Sequence, residues 1–372
     1  MAGLSTFAVL GSTRGELRRG FRAQVRNPFH RPGVYSLMMN IQRMRWVPLV
    51  ACLSGGNGTA ESAYMSPGQL AVETAKFEWT DTKRQREVPV KIYYPKSGAG
   101  PFPLIVFSHG LGGSRDGYEY LGRHWASHGY VSVHLEHLGS DDDVWKGVEP
   151  AERKQAMRRS IANPQNSINR PLDVSFAIDQ MERLHRNAGP FKGRLDLKRI
   201  GVAGHSFGAY TTLAVAGQVF LGPFVDGKTL ADPRVKAAIP MSSPVPRQKD
   251  QLDRAFGGIR VPCLHMTGTK DASIIGETTV EERRLPFDHM NKSDQYLIIF
   301  QDGDHLVFSG RGKLPGGGQD KRFQELILAS STAFWDAYLR DDRRAKDWLA
   351  GNGFQRTMGS AGTFEKKIGT KE

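Results

Sequence analysis

Apolar runs and amphipathic segments alternate along the chain from about residue 75 onwards. Continuous apolar runs are typical of strands buried on both faces, whereas apolar residues three or four positions apart indicate helices. The pattern predicts strands at 103–108, 130–135, 199–203, 235–241, 262–266 and 295–300, and helices at 118–127, 171–184, 209–219 and 321–339. Strands and helices that alternate in this way form a mostly parallel central sheet with helices on both faces, so we expect an α/β fold.

Two further strands, at 77–80 and 88–95, are separated by a charged turn and are expected to pair as an antiparallel hairpin at a sheet edge. Residues 138–165 are polar and irregular, and with residues 309–320 they are candidates to cover a pocket. The chain shows no internal repeat. We expect three parts, which are a basic tail at 1–70, one folded domain at 71–345 and a C-terminal tail at 346–372.

The formal net charge of the chain is +13, which by itself suggests a nucleic-acid partner. The excess is concentrated, because residues 1–60 contain eight arginines, no lysine and Glu16 as their one acidic residue, a net charge of +7. The remaining sequence has no stripe of interleaved basic and aromatic residues. The charge therefore belongs mainly to the N-terminal tail, and no nucleic-acid partner is expected.

The N-terminal tail also contains a basic stretch at 39–45, a short apolar run at 46–53 and then small residues. This order is the layout of a secretory signal, and residues 49–52 resemble a bacterial lipobox in which Cys52 would carry a lipid anchor. We therefore expect a secreted, periplasmic or lipid-anchored protein, and a basic tail on a cytoplasmic protein is the alternative. Since the sequence has no apolar run of 18 residues, no transmembrane segment is expected.

Residues 204–208 read Gly-His-Ser-Phe-Gly and match the G-x-S-x-G pattern, which holds a nucleophilic serine on a sharp turn between a strand and a helix. The pattern alone is weak in a chain with 42 glycines, but here it lies directly after a predicted strand and before a helix of small residues. Ser206 is therefore the expected nucleophile, and a structural turn serine is the alternative.

A serine hydroxyl needs a base to accept its proton and an acid to orient that base. In folds with this turn, the acid and then the histidine follow the serine along the chain, each after a strand. Asp271 comes shortly after the strand at 262–266 and His305 shortly after the strand at 295–300, so we predict a triad of Ser206, Asp271 and His305. The competing carboxylates are Asp302 and Asp304, and the rival histidines are His134, His137, His205 and His289.

The tetrahedral intermediate of acyl transfer needs two backbone N–H groups aimed at its negative oxygen. Phe207, the residue after the nucleophile, is expected to supply one of them. The glycine-rich loop at 108–113 is expected to supply the other from Leu111, and a turn without a catalytic role is the alternative. His134 and His137 lack the spacing of a metal motif, and neither a metal nor a cofactor is expected.

These motifs together resemble one known group. Segments 108–112, 126–130, 136–137, 204–208 and 302–305 look like those of the platelet-activating-factor acetylhydrolase-like and predicted dienelactone hydrolase family of the α/β-hydrolase superfamily. The similarity covers roughly residues 75–340. The resemblance implies an α/β-hydrolase fold, a Ser-Asp-His triad, an oxyanion hole from Leu111 and Phe207, no cofactor, and hydrolysis of carboxylic esters with short or truncated acyl groups.

The sequence departs from two related groups. Ser206 stands where a true dienelactone hydrolase would have cysteine. Bacterial polyester hydrolases share the serine turn, but residues 241–243 lack the tryptophan that such enzymes usually carry there, so polyester cleavage is the weaker prediction. A small-molecule or lipid ester is the expected substrate. Amide hydrolysis by the same triad and a catalytically inactive binding protein on the same fold are the alternatives.

Overall fold

A computed structural model describes residues 64–222, 226–276, 278–310 and 318–369. The expected secretory signal and Cys52 lie outside the described residues, as does most of the expected basic tail. Among the described residues, no helix is long and apolar enough to cross a membrane.

The described strands form one sheet in the order β1-β2-β4-β3-β5-β6-β7-β8-β9. The strands are β1 (Val72–Asp81), β2 (Arg86–Pro95), β3 (Phe102–Ser108), β4 (Val131–Leu135), β5 (Leu195–His205), β6 (Val235–Met241), β7 (Cys263–Lys270), β8 (Gln295–Asp304) and β9 (Gly362–Lys367). The six central strands from β4 to β8 run parallel, and β1, β2 and β9 are antiparallel to their neighbours. The expected α/β fold and the expected edge hairpin are both confirmed.

The helices are α1 (Glu119–Ser127), α2 (Arg153–Ala162), α3 (Pro164–Arg186), α4 (Phe207–Ala216), α5 (Leu252–Phe256), α6 (Leu285–Asp288), α7 (Gly318–Leu339), α8 (Arg343–Ala350) and α9 (Gly353–Met358). They cover both faces of the sheet. In β3, Leu104 and Val106 belong to the core packed under α3 and α4, whereas Ile105 and Phe107 belong to the core packed under α1 and α7. A strand buried on both faces is continuously apolar for this reason.

Two sequence-based boundaries in the middle of the chain are wrong. The segment 138–165, predicted to be irregular, contains helix α2. The helix predicted to start at Pro171 starts at Pro164, because the side chain of Asn163 accepts a hydrogen bond from the backbone N–H of Gln165 and Pro164 occupies the first turn. Pro171 instead lies inside α3.

The expected C-terminal tail at 346–372 is also wrong, because residues up to 367 belong to the folded domain. Helices α8 and α9 bury Leu349 and Phe354 against the main core. Strand β9 then pairs antiparallel with β8, and the ring of Phe364 stacks on that of Tyr296 with their centroids 5.8 Å apart. Isolated apolar residues in a charged stretch gave no periodic signal of this packing.

Candidate active site

Ser206 lies on the sharp turn between β5 and α4, with φ 56° and ψ −115°. A positive φ is uncommon for a residue with a side chain and marks a strained backbone. A Cβ atom on Gly204 would overlap the carbonyl of Gly208, and one on Gly208 would overlap the carbonyl of Ser108 at the end of β3. Both glycines of the motif are therefore required, because β5, α4 and β3 approach one another at backbone distance.

The three residues predicted as a triad lie in hydrogen-bonding order. His305 Nε2 is 3.0 Å from Ser206 Oγ, and His305 Nδ1 is 2.7 Å from Asp271 Oδ1. An ionised carboxylate can only accept hydrogen bonds, so Nδ1 carries the ring proton of a neutral His305 and Nε2 is left to accept from the serine hydroxyl. This is the arrangement that general-base activation of Ser206 needs.

The parallel sheet explains how residues so distant in sequence meet. Ser206, Asp271 and His305 come directly after β5, β7 and β8 respectively. Strand β6 lies between β5 and β7, and the residue directly after it is Ser242. Four neighbouring carboxyl ends thus place four polar side chains in one row at one edge of the sheet.

Ser242 was not recognised as a site residue from the sequence. Its hydroxyl donates to Asp271 Oδ1 at 2.8 Å, and the hydroxyl oxygen of Ser242 also lies 2.8 Å from His305 Nδ1. The second carboxylate oxygen of Asp271 accepts from the hydroxyl of Thr267 at 2.8 Å. Asp271 is fully buried, so these donors replace the water that would otherwise solvate its charge. The position of Ser242 directly after a predicted strand was the available signal.

Arg283 also supports Asp271, and it was not identified from the sequence. Its side chain is buried, and burial lowers the pKa of the guanidinium from its ordinary value. Nε donates to the backbone carbonyl of Asp271 at 3.1 Å, and Nη1 donates to the carbonyls of Ser242 and Ser243 at 3.0 and 2.9 Å. Arg283 therefore holds the segment after β6 against the segment after β7. It lies in a charged run, Glu281–Arg284, where sequence gives no reason to select it.

Leu111 and Phe207, the expected oxyanion-hole residues, line the same pocket as Ser206 and His305. Phe207 is the first residue of α4, and the first N–H groups of a helix have no acceptor within the helix itself. Both residues therefore lie beside the nucleophile, and their role in an oxyanion hole stays a prediction.

The loop that carries Leu111 is held on both sides. The N–H of Gly112 donates to the carbonyl of Ser140 at 2.9 Å, and Trp145 Nε1 donates to the carbonyl of Gly112 at 2.8 Å. On the other side, His205 Nδ1 lies 2.8 Å from the hydroxyl of Tyr118, which also accepts from the N–H of Gly110 at 3.4 Å. Burial holds the pKa of His205 well below its ordinary value, so this imidazole is neutral.

The rival residues make other contacts. His289 Nδ1 pairs with Asp253 at 2.7 Å, and Asp302 pairs with Lys270 at 2.8 Å. His134 contacts the hydroxyl of Ser132, and His137 contacts the side chains of Asp173 and Ser108. The side chain of Asp304 accepts a hydrogen bond from the N–H of Leu306. Within the described ranges, no group of three or more His, Cys, Asp or Glu side chains could hold a metal ion.

The pocket over Ser206 has a volume of about 910 Å³ including its open mouth. Its apolar wall includes Leu111, Met157, Ile161, Ile274, Ile275 and Leu306. Met157 and Ile161 belong to α2, so part of the segment 138–165 does form a wall of the pocket. Ile274 and Leu306 are 47% and 41% exposed, which gives this pocket an apolar rim. An apolar pocket with a few polar groups at its base suits a small or lipid-derived ligand.

Known proteins with similar sequences are named as acetylhydrolases and cutinases. A sequence model of the family described as "Platelet-activating factor acetylhydrolase, isoform II" matches residues 73–146, which include the Leu111 loop. Platelet-activating factor acetylhydrolase from Cavia porcellus is 27% identical over 150 residues, 34% of each chain. Cutinase 1 from Thermobifida cellulosilytica is 25% identical over 173 residues, 46% of this chain and 49% of the relative.

The chain thus spans about a third to a half of the length of these curated relatives. The matches are to proteins named as platelet-activating factor acetylhydrolases and cutinases. The parallel sheet, the strained Ser206 turn and the row of polar side chains at the strand ends are features expected of the α/β-hydrolase fold. The resemblance is confirmed: this chain has the fold of the α/β-hydrolases and is similar to the platelet-activating factor acetylhydrolases.

Proposed function

We propose that this protein is a serine hydrolase that cleaves carboxylic esters with short or lipid-derived acyl groups. The observation that carries the proposal is the hydrogen-bonded order Ser206–His305–Asp271 at the base of an apolar pocket. The similarity to proteins named as acetylhydrolases and cutinases supports it. The expected absence of a cofactor is consistent with a reaction in which protein side chains move every proton.

In the acylation step, Ser206 Oγ attacks the ester carbonyl carbon while His305 Nε2 takes the hydroxyl proton. The carbonyl oxygen becomes an oxyanion and accepts hydrogen bonds from the N–H groups of Leu111 and Phe207. The C–O bond to the alcohol then breaks, and His305 gives its proton to the departing oxygen. Asp271 stays ionised throughout and stabilises the transient imidazolium.

In the deacylation step, a water molecule replaces the alcohol. His305 takes a proton from this water as its oxygen attacks the acyl carbon of the Ser206 ester, and a second oxyanion forms in the same place. When the intermediate collapses, the proton returns from His305 to Ser206 Oγ and the carboxylic acid leaves. The enzyme is restored with every proton accounted for.

The test is hydrolysis of p-nitrophenyl acetate, butyrate, octanoate and palmitate by the full chain and by Ser206→Ala. Removing the nucleophile is expected to lower kcat by on the order of 10⁴-fold or more. A higher kcat/KM for the short esters would support the acetylhydrolase-like substrate class. If the wild type and Ser206→Ala have the same circular dichroism spectrum and equal rates of hydrolysis, the proposed esterase activity is refuted. Faster cleavage of the matching p-nitroanilides than of the esters would favour the amidase alternative.

Polyester cleavage is a second candidate, favoured by the cutinase matches and by the exposed apolar rim at Ile274 and Leu306. A polymer chain must reach Ser206 from a surface, and an apolar rim is suited to contact with that surface. Release of soluble acid from a polyester film by the wild type, and not by Ser206→Ala, would support it. Rapid turnover of soluble esters with no release from the film would exclude it.

A further inference from the structure

Arg170, in helix α3, is a fully buried cation. Each of its guanidinium nitrogens donates to a neutral acceptor. Nε donates to the hydroxyl of Thr211 at 2.9 Å, Nη1 donates to the hydroxyl of Ser140 at 2.8 Å, and Nη2 donates to the backbone carbonyl of His109. A planar guanidinium with all three nitrogens engaged has a fixed orientation.

These contacts reach the first of the two segments that carry the proposed oxyanion-hole N–H groups. His109 lies two residues before Leu111 in the same loop. Ser140, which accepts from Nη1, uses its backbone carbonyl to accept from the N–H of Gly112, the residue after Leu111. Arg170 therefore contacts the Leu111 loop directly through His109 and indirectly through Ser140.

The contacts also reach the second segment. The hydroxyl of Thr211, which accepts from Arg170, donates in turn to the backbone carbonyl of Phe207 at 3.0 Å. The guanidinium carbon lies 4.5 Å from the centroid of the Phe207 ring, a cation–π contact. One side chain thus joins the first turn of α4 to the loop after β3.

Arg170 takes part in none of the ion pairs formed among the described residues. Asp173, one turn further along α3, forms ion pairs with Arg84 and Arg86 and a hydrogen bond with the neutral His137, and its charge acts on Arg170 only through space. Burial lowers the pKa of Arg170 to about 9, so the guanidinium is charged at neutral pH. A buried charge without a direct counter-charge acts over a longer distance than a charge in water.

We propose that Arg170 is the positioning residue of the oxyanion hole, which locks the Leu111 loop to the Phe207 helix and places a buried positive charge beneath both. This inference rests on the proposed ester hydrolysis. Negative charge on the substrate oxygen develops in the transition state and is absent in the bound ester, so the contribution of Arg170 falls on kcat and leaves KM nearly unchanged. A residue that only stabilises the fold would lower the melting temperature without this selectivity.

The experiment compares the full wild-type chain with Arg170→Met and Arg170→Lys. We expect Arg170→Met to lower kcat by on the order of 100-fold, the size of the loss of one oxyanion-hole donor, with KM within threefold of wild type. A trifluoromethyl ketone that forms an oxyanion adduct with Ser206 should bind more weakly by the same factor. Arg170→Lys keeps the charge and is expected to have an intermediate kcat.

The matched control is Arg234→Met. Arg234 also anchors α3, through Asp179, Glu182 and the carbonyl of Ser175, but it does not contact the Leu111 loop or the Phe207 turn. We expect this variant to lower the melting temperature and to keep kcat within threefold of wild type. If Arg170→Met does not fold, Thr211→Val removes one acceptor without changing the shape, and should lower kcat and ketone affinity about fivefold.

Folded Arg170 variants with wild-type kcat and wild-type ketone affinity would overturn the inference, as would a loss of kcat without a loss of ketone affinity. The ketone is followed by direct calorimetric binding, which needs no ester turnover. A wild-type chain that binds the ketone but cleaves no ester would therefore count against the proposed substrate class. The ketone affinities of the Arg170 variants would still decide the role of Arg170.

Discussion

Ser242→Ala removes a hydroxyl without disturbing the backbone. The hydroxyl donates to the fully buried Asp271 carboxylate at 2.8 Å and lies 2.8 Å from His305 Nδ1. A hydrogen bond to a charged group contributes about 1.5 to 3 kcal/mol, and Thr267 and Arg283 remain to hold Asp271. If the whole loss appears in the transition state, where the imidazolium depends on an ionised Asp271, kcat falls by about 10- to 150-fold.

The assay is the steady-state hydrolysis of a p-nitrophenyl ester, with kcat and KM determined separately for each variant. KM should stay within about threefold, because the hydroxyl does not line the pocket. Ser330→Ala is the control, since Ser330 is equally buried and its hydroxyl donates to the carbonyl of Leu326 in α7, away from the triad. A Ser242→Ala enzyme with wild-type kcat, or one no slower than Ser330→Ala, would show that this hydroxyl does not support Asp271 during catalysis.

Two further predictions concern stability. Gly208→Ala forces a methyl group against the carbonyl of Ser108 and should cost roughly 3 kcal/mol or more in the free energy of unfolding, whereas Gly258→Ala, with no atom near its Cβ position, should change it by less than about 0.5 kcal/mol. Equal urea midpoints for the two variants would contradict this. Burial lowers the pKa of His124 and His134 to about 3 and that of His265 to about 4, so these imidazole rings stay neutral in the folded protein. In the unfolded chain a histidine has a pKa of about 6.5 and takes up a proton below that pH. Stability is therefore lost as the pH falls through 6.5, by roughly 1 kcal/mol for each ring at pH 5.5, and Glu136, whose pKa burial raises to about 7, offsets part of this loss. The free energy of unfolding measured in urea should be lower at pH 5.5 than at pH 7.5 by a few kcal/mol. A stability that does not change between these pH values would show that the rings are accessible to protons in the folded state.

The apolar pattern of the chain was enough to predict the parallel α/β layout, and residue positions relative to the strands were enough to select Ser206, Asp271 and His305. Both inferences rest on local signals. A continuously apolar run identifies a strand buried on two faces, and a polar residue directly after such a strand lies at the carboxyl edge of the sheet. The same rule, applied to the strand at 235–241, would have selected Ser242.

The polar residues that surround the site could be identified only from the folded protein. Arg170 and Arg283 resemble any other arginine among the 51 basic residues of the chain, yet both are buried and their nitrogens hold backbone carbonyls of site loops. The helices and the strand between residues 343 and 367 were also recognisable only in the folded protein. They extend the sheet beyond β8, and only a few isolated apolar residues in that segment pack against the core. The physical reason is that a hydrogen bond depends on the positions of donor and acceptor in space. Arg170 and Thr211 are 41 residues apart in the chain, and no sequence period of 2 or 3.6 relates them.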